Sequence, residues 1–195
     1  MNDAENIREP LAVPAIWQAT KALGFAMASE PLTCALLRTL AASKPGGNFL
    51  ELGSGTGLST AWFLDGMDPT ARLTTVDNDV DAMAVLRNHL GGDQRLTTVC
   101  GDGDEFLKSI QGSSFDFIFA DTWSGKYQML DETLALLNPG GLYVIDDMLP
   151  RANWPEGHAE KAATLLERLE NLPSLVVSKM SWASGLVVAT KVDRP

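Results

Sequence analysis

Cysteine and positive charge are scarce in this chain of 195 residues. Its two cysteines, Cys34 and Cys100, are too few to form a disulfide framework or a zinc site by themselves. Each stands in an apolar stretch, which predicts a small, buried hydrophobic side chain. Acidic residues outnumber basic ones by 25 to 15, and the formal net charge is −10. Because a negative surface repels nucleic-acid backbones and anionic membranes, we expect neither as a partner.

The chain also lacks any apolar run long enough to cross a membrane. Residues 1–10 are polar and acidic, unlike a signal peptide. These features predict a soluble, cytoplasmic protein in a reducing compartment. The length predicts one domain with a small appendage, and the 45% hydrophobic content is sufficient for a real core. We interpret residues 1–28 as an N-terminal arm with a lid-like helix over 15–28, and residues 29–195 as the domain.

Strands and helices alternate through most of the chain. The hydrophobic patterns predict strands at residues 49–52, 73–76, 96–100, 115–120, 142–145, 175–178 and 186–190. They predict helices from Pro31 to about Lys44 and at residues 58–64, 79–90, 104–110, 127–137 and 156–169. Continuously apolar strands alternating with helices indicate an α/β fold with a parallel sheet covered on both faces. No helix separates the last two strands, so we expect an antiparallel hairpin at one sheet edge.

A glycine-rich turn follows the first predicted strand and leads into a helix. Gly53, Gly55 and Gly57 allow a tight turn and a close approach of the backbone to a ligand, and a helix N-terminus attracts anionic groups. Leu58 stands where a dinucleotide fingerprint needs its third glycine, and the lysine of a Walker loop is absent. Taken alone, the glycines are equally compatible with ordinary turn chemistry.

An acidic residue, Asp77, ends the second predicted strand and is followed by Asn78. A carboxylate at this place can accept hydrogen bonds from both ribose hydroxyls of a nucleoside ligand. The alternative is that Asp77 caps the helix beginning at Asp79. The glycine turn and the acid together are a more specific indication of a nucleoside site than either alone.

With these motifs the chain resembles the class I S-adenosylmethionine-dependent methyltransferases, and within them the catechol and caffeoyl-CoA type of O-methyltransferase. The resemblance runs from about Ser29 to Lys191 through "ELGSGTGLS", "VCGDGDEF", "FDFIFADTWSGKY", "LNPGGLYVIDDML" and "SGLVVATK". It implies a Rossmann-like, doubly wound sheet of seven strands, mostly parallel, with the last strand antiparallel. It also implies an enzyme that methylates a hydroxyl oxygen of a small molecule.

The resemblance further implies how the cofactor is held. Ser59 matches the serine that binds the methionine carboxylate, Asp77 the ribose acid, and Asp102 the position that reads the adenine edge, with the amide of Gly103 beside it. The cofactor-binding residues that it implies are Glu51, Gly53, Ser54, Gly55, Gly57, Ser59, Asp77, Asn78, Asp102, Gly103, Asp121 and Trp123.

In the catechol-type family a divalent metal is held by acids after the fourth and fifth strands. The matching residues are Asp121, Asp146 and Asp147, and oxygen ligands of this kind suit Mg²⁺. Such a metal lowers the pKa of a bound hydroxyl and so prepares the nucleophile. The alternative is a metal-free enzyme, in which Asp121 approaches the cofactor or the substrate and the other two acids cap or solvate a loop.

One departure from the family concerns its catalytic lysine, which usually stands three residues after the first metal aspartate. Ser124 occupies that position, and Lys126 lies two residues further, where it could reach inward but a helix would turn it to another face. The family base is therefore absent or relocated, and we name Asp121 and Lys126 as the candidate catalytic residues. Rival hypotheses are a metal-independent methyltransferase acting on nitrogen or carbon and a non-catalytic cofactor-binding protein.

The sequence gives the weakest indication of which residues bind the methyl acceptor. By resemblance, Trp123 is expected to wall the cofactor or acceptor pocket. The stretch from Pro150 to His158 is equally compatible with a pocket border and with an exposed helix start. The expected partner is a small-molecule acceptor whose identity stays open. Related enzymes often form dimers, so a homodimer is one expected assembly.

Overall fold

The computed structural model describes residues 2–5, 7–151 and 154–193. The strands are β1 (Asn48–Leu52), β2 (Arg72–Asp77), β3 (Leu96–Cys100), β4 (Phe115–Ala120), β5 (Leu137–Ile145), β6 (Leu175–Met180) and β7 (Leu186–Lys191). The helices are α1 (Val13–Leu23), α2 (Pro31–Ala42), α3 (Leu58–Gly66), α4 (Val80–Leu90), α5 (Gly103–Ser109), α6 (Leu130–Ala135) and α7 (His158–Glu170).

The seven strands form one sheet in the order β3-β2-β1-β4-β5-β7-β6. The first five pair in parallel, whereas β7 runs antiparallel to both β5 and β6. The predicted α/β fold with a terminal antiparallel hairpin is therefore confirmed. Because the strand order reverses direction between β1 and β4, a crevice forms outside their carboxyl ends, where ligands of such folds bind.

The sheet is covered on both faces by separate apolar clusters. Phe49, Phe63 and Phe117 form the centre of the cluster beneath α1 to α4, with ring centroids 5.2–6.1 Å apart. Leu50 and Ile118 point to the opposite face, beneath α5 to α7. Burial of each such side chain contributes about 1.5–3 kcal/mol relative to exposure. This two-sided packing holds the strand ends, and hence the loops that follow them, in fixed positions.

The predicted helix over residues 127–137 is wrong in its extent, since α6 covers only Leu130–Ala135. Gly125 (φ 77°) and Met129 (φ 55°) adopt the left-handed conformation, which a continuous right-handed helix excludes. The chain between β4 and α6 therefore makes tight turns. Residues 138–141 lie inside β5, where the register with β4 shifts.

The two cysteines differ in their surroundings. Cys34 is buried in α2, as expected, and burial raises the pKa of its thiol. Cys100 is exposed, so the prediction of a buried side chain is wrong there. It ends β3, which is an edge strand and leaves one side uncovered.

The predicted lid-like helix begins and ends earlier than expected. In α1, Ile16 is fully buried, and the hydroxyls of Thr20 and Thr56 lie 2.7 Å apart. Gly24 (φ 72°) ends the helix, and residues 25–30 then pass over the ligand crevice. The helix itself belongs to the core, and the segment after it covers the site. Within the described ranges, no helix is long and apolar enough to cross a membrane.

Candidate active site

A cleft of about 420 Å³ lies at the carboxyl ends of β1, β2, β4 and β5. Its floor is formed by the residues that follow these strands, among them Gly53, Asp77, Asp121 and Asp146. A second cavity of about 340 Å³ shares Gly53 and Asp77 with the first and extends towards β3. The two cavities together form an elongated space across the point where the strand order reverses.

The glycine turn lies against the cleft and has no room for side chains. Gly53 (φ 91°) and Gly55 (φ 49°) adopt left-handed conformations. A Cβ atom on Gly53 would lie 2.9 Å from the backbone oxygen of Asp121, and one on Gly55 would lie 2.9 Å from the ring of Phe25. The turn is thus packed between the residues that follow β4 and the segment after α1, and Gly53 and Gly55 also line the cleft.

Asp77 faces both cavities and braces the glycine turn. Its Oδ2 atom accepts a hydrogen bond from the amide of Gly55 at 2.7 Å, and its Oδ1 atom accepts one from the amide of Asp79 at 2.9 Å. The cap of α4 is Asp79, whose Oδ1 accepts from the amides of Asp81 and Ala82. The capping role therefore belongs to Asp79, whereas Asp77 lines the cleft, and each of its oxygens can accept a second hydrogen bond.

Two residues of the first motif lie beneath the cleft and do not line it. Glu51 is fully buried, and its Oε2 accepts hydrogen bonds from the hydroxyls of Thr60 and Thr75, both at 2.6 Å. Burial raises the pKa of Glu51. Ser59 is also buried, so the expected contacts of both residues with the cofactor gain no support from their positions. Gly57 caps α3, and Ser54 lines the cleft.

The cavity towards β3 is lined by Asn78, Asp102, Gly103 and Trp123, all expected on the cofactor side. Asp102 caps α5, since its Oδ1 accepts from the amide of Glu105 at 2.9 Å. A Cβ atom on Gly103 would lie 2.7 Å from the side chain of Ser124, so the cavity wall is close-packed there.

The three acids expected at the reaction centre all line the cleft. The Oδ2 atom of Asp121 accepts a hydrogen bond from the hydroxyl of Ser29 at 2.8 Å. Asp146 is buried, and its Oδ1 accepts hydrogen bonds from the hydroxyl of Ser184 and from the amide of Asp147. Burial, followed by the neighbouring negative charges, raises the pKa of Asp121 well above its usual range. Burial likewise raises the pKa of Asp146.

Lys126 lies inside the cleft, contrary to the helical geometry expected for it. Its side chain is 4% exposed, and its ammonium donates a hydrogen bond to the backbone oxygen of Asp146 at 2.6 Å. Burial lowers the pKa of Lys126, whereas the charges of Asp121, Asp147 and Asp146 act in the opposite direction. The loop before α6 therefore places a lysine near the acids despite the serine at position 124.

The acids do not fit a divalent metal well. Among the described residues, no group of three or more histidine, cysteine, aspartate or glutamate side chains is placed to hold one. An oxygen of Asp146 is engaged by Ser184, and Asp147 (φ 57°) lies 3.5 Å from the guanidinium of Arg151. The expected Mg²⁺ site thus gains no support from the structure.

The outer part of the cleft is aromatic. Trp123, expected here, makes edge-to-face contact with Tyr127, and the Tyr127 hydroxyl lies 3.2 Å from Nε2 of His158. Trp154 packs on His158 with ring centroids 4.4 Å apart. Burial lowers the pKa of His158, and the positive charges of lysines nearby contribute. Trp154 and Pro155, before α7, and His158 at its start therefore border the cleft, which the sequence had left open.

Some residues of the cleft could not be found from the sequence. Ser29 and Ser184 lie 92 and 38 residues away from the aspartates that they contact. Phe25 lies against the glycine turn through a helix end whose position was predicted incorrectly. No local pattern marks these three side chains, because their role depends on long-range packing.

The chain is similar to known proteins in sequence and in fold. Residues 50–148 match the model of a methyltransferase-domain family. A protein of Mycobacterium sp. (strain JLS), whose name assigns it to the O-methyltransferases, is 30% identical over 200 residues that span 96% of this chain and 89% of that protein.

Two solved structures share the fold. The O-methyltransferase TomG from Streptomyces achromogenes, involved in tomaymycin synthesis and solved with S-adenosylmethionine, has a TM-score of 0.83 at 18% identity, over 98% of this chain and 94% of that one. An O-methyltransferase from Bacillus cereus, solved with S-adenosylhomocysteine, has a TM-score of 0.84 at 19% identity, over 96% and 93%.

Proposed function

Because the chain belongs to the class I S-adenosylmethionine-dependent O-methyltransferases, we propose that its cleft transfers a methyl group to a hydroxyl oxygen of a small molecule. The observation that carries this proposal is Asp77, which holds the glycine turn through the amide of Gly55 and still faces the cleft. No other carboxylate in the described residues bridges the glycine turn and both cavities in this way.

The cofactor spans the two cavities in this proposal. Asp77 binds the ribose hydroxyls, Asn78, Asp102 and Gly103 border the adenine side, and the turn from Gly53 to Gly55 lies along the methionine end. Gly53 and Gly55 line the cleft without side chains, which supports the arrangement because a bare backbone lets a ligand approach closely. Bound S-adenosylmethionine supplies an electrophilic methyl group on a sulfonium ion, and transfer needs chiefly the positioning of two reactants.

Asp121 is the proton acceptor in this proposal. Its Oδ2 atom is held by Ser29, whereas Oδ1 has no hydrogen bond from the described residues. The raised pKa of its carboxyl, caused by burial and the nearby acids, suits it to take a proton from the acceptor hydroxyl. The O–H bond breaks towards Asp121, the oxygen forms a bond to the methyl carbon, and the sulfur retains the electron pair of the broken C–S bond.

Residues 25–28, which end the N-terminal arm assigned to residues 1–28, cover the cofactor in this proposal. The Phe25 ring lies against Gly55, and Ser29 reaches Asp121 at the start of the domain assigned to residues 29–195. A cover of this kind excludes water from the reacting atoms.

Transfer of a labelled methyl group tests the proposal. The enzyme is incubated with S-adenosylmethionine labelled in the methyl group and a panel of small phenols, alcohols, amines and carbon acids. We expect label in a methyl ether, and no label when Asp77→Ala replaces the wild type at limiting cofactor concentration. Label in an N-methyl or C-methyl product alone would contradict the oxygen specificity.

A further inference from the structure

Lys126 is the one cation that the described structure buries at the floor of the cleft. Its ammonium is fixed to the backbone oxygen of Asp146 at 2.6 Å and lies 5.0 Å from the centroid of the Tyr127 ring. Its charge acts through space on Asp121, Asp147 and Asp146. The Lys126 ammonium therefore places a positive charge of the chain itself near the three carboxylates.

The turn after β4 builds this position. Gly125 (φ 77°) reverses the chain, its amide donates to the oxygen of Gln128 at 2.7 Å, and its oxygen accepts from the hydroxyl of Tyr143. A Cβ atom on Gly125 would lie 2.4 Å from the side chain of Leu52, so this turn is packed directly on β1. Because these contacts fix the backbone of Gly125, the turn directs the side chain of Lys126 into the cleft.

The three carboxylates already have a hydrogen-bond donor or a charged partner within the chain. Ser29 donates to Asp121, Ser184 donates to Asp146, and Arg151 approaches Asp147. A hard divalent ion needs several oxygens turned towards one point, and three carboxylates each drawn to a different donor do not supply them.

We propose that the ammonium of Lys126 takes the place of a divalent metal in the acid cluster of Asp121, Asp146 and Asp147, so that methyl transfer by this enzyme needs no metal. The acceptor oxygen binds between the Lys126 ammonium and the Asp121 carboxylate. Lys126 has three N–H donors, of which the Asp146 oxygen takes one, and another donates to the acceptor oxygen.

In this proposal Lys126 supplies only a fixed positive charge and a hydrogen-bond donor. A fixed cation at hydrogen-bond distance stabilises the negative charge that develops on the acceptor oxygen as its proton passes to Asp121. The charge of Lys126 also offsets the repulsion among the three carboxylates, which is a role that a bound metal would otherwise have. The step consumes only the methyl donor and the acceptor, and it requires no further reactant.

This inference rests on the proposed function, and its first test needs no catalysis. Wild-type protein freed of metal is titrated with Mn²⁺, and binding is followed by the paramagnetic signal of the ion and by calorimetry. We expect no site filled at a one-to-one ratio at millimolar Mn²⁺. A tight single site that is lost in Asp146→Asn would overturn the inference, even if no acceptor were known.

The second test measures turnover. We expect wild-type kcat to be unchanged in excess EDTA and not to rise on addition of Mg²⁺. Lys126→Met should lower kcat by about 100-fold or more, the scale for removal of one donor to a developing oxyanion. Lys126→Arg should retain more activity than Lys126→Met, because it keeps the charge. Both variants should bind S-adenosylhomocysteine within about threefold of wild type, since the cofactor contacts are elsewhere.

Controls separate this inference from the function on which it rests. Lys179→Met removes an exposed lysine paired with Glu170 and should leave kcat unchanged. Loss of turnover in EDTA with recovery in Mg²⁺, or full activity of a folded Lys126→Met, would overturn the role of Lys126 while methyl transfer stands. If Lys126→Met fails to fold, Lys126→Arg and the EDTA measurement decide. Absence of methyl transfer by wild type under all conditions would instead overturn the proposed function.

Discussion

The hydroxyl of Tyr127 lies 3.2 Å from Nε2 of His158 and so joins the turn after β4 to the first residue of α7. Trp123 and Trp154 pack on this pair from either side. Because Tyr127 and His158 both line the cleft, the contact fixes the shape of its outer, aromatic end. We propose that this end of the cleft takes the acceptor.

Tyr127→Phe tests that assignment. The substitution removes the hydrogen bond to His158 that fixes this end, which contributes about 1 kcal/mol. We expect the acceptor KM to rise by up to roughly fivefold, the full free energy of that bond if acceptor binding must restore the shape. The affinity for S-adenosylhomocysteine should stay within experimental error, because Tyr127 does not line the cavity towards β3. Steady-state kinetics with the acceptor varied, together with calorimetry, give both quantities. An unchanged KM would place the acceptor elsewhere.

Gly53→Ala tests the packing of the glycine turn, and Gly112→Ala is its matched control. Both glycines have φ 91°, so both substitutions incur the left-handed strain of about 1–2 kcal/mol. A Cβ atom at position 53 would lie 2.9 Å from the backbone oxygen of Asp121, whereas a Cβ atom at position 112 would contact no other atom. We expect Gly53→Ala to lose more stability in urea unfolding and also to lose cofactor affinity. Equal losses in the two variants would refute the close packing.

The fold was predictable from the sequence because its strands are continuously apolar and alternate with helices. The bounds of β3 and β4 were predicted to the residue. The helix at residues 127–137 was predicted too long because the turn before it, in which Gly125 adopts a left-handed conformation and packs on Leu52, was not anticipated. Local patterns do not contain such a contact, since its partner lies more than 70 residues away.

The candidate site was predictable in part. The positions of Asp77 and Asp121 followed from the strand ends, and both residues line the cleft. The inward position of Lys126 and the contact of Ser184 with Asp146 depend on turns and on the β6–β7 hairpin loop, which no spacing in the sequence encodes. The position of Glu51 was also not predictable. Its place in the motif suggested that it lines the cleft, but its side chain lies beneath the cleft.

Glu51 also gives a prediction for stability as a function of pH. Burial raises the pKa of its carboxyl in the folded state above that of the unfolded chain. Protonation therefore favours the folded state, and this contribution to stability is lost as the pH rises through the folded pKa. We expect Glu51→Gln, relative to wild type, to gain free energy of unfolding as the pH rises from about 4.5 to 8.

Urea unfolding of both proteins across that pH range provides the measurement. Glu132→Gln, which removes an exposed carboxylate, is the control and should show no comparable trend. A difference between Glu51→Gln and wild type that stays constant with pH would show that the Glu51 carboxyl titrates as an ordinary exposed group.

The central claim is that the cleft beside Asp77 binds S-adenosylmethionine, and calorimetric titration with S-adenosylhomocysteine tests it most directly. We expect wild type to bind S-adenosylhomocysteine and not NAD, and Asp77→Ala to weaken binding by about 2–4 kcal/mol, since a charged acceptor of two ribose hydroxyls is lost. Asp79→Asn, which keeps a capping side chain on α4, should bind as wild type does. Undiminished binding of S-adenosylhomocysteine by a folded Asp77→Ala would contradict the claim.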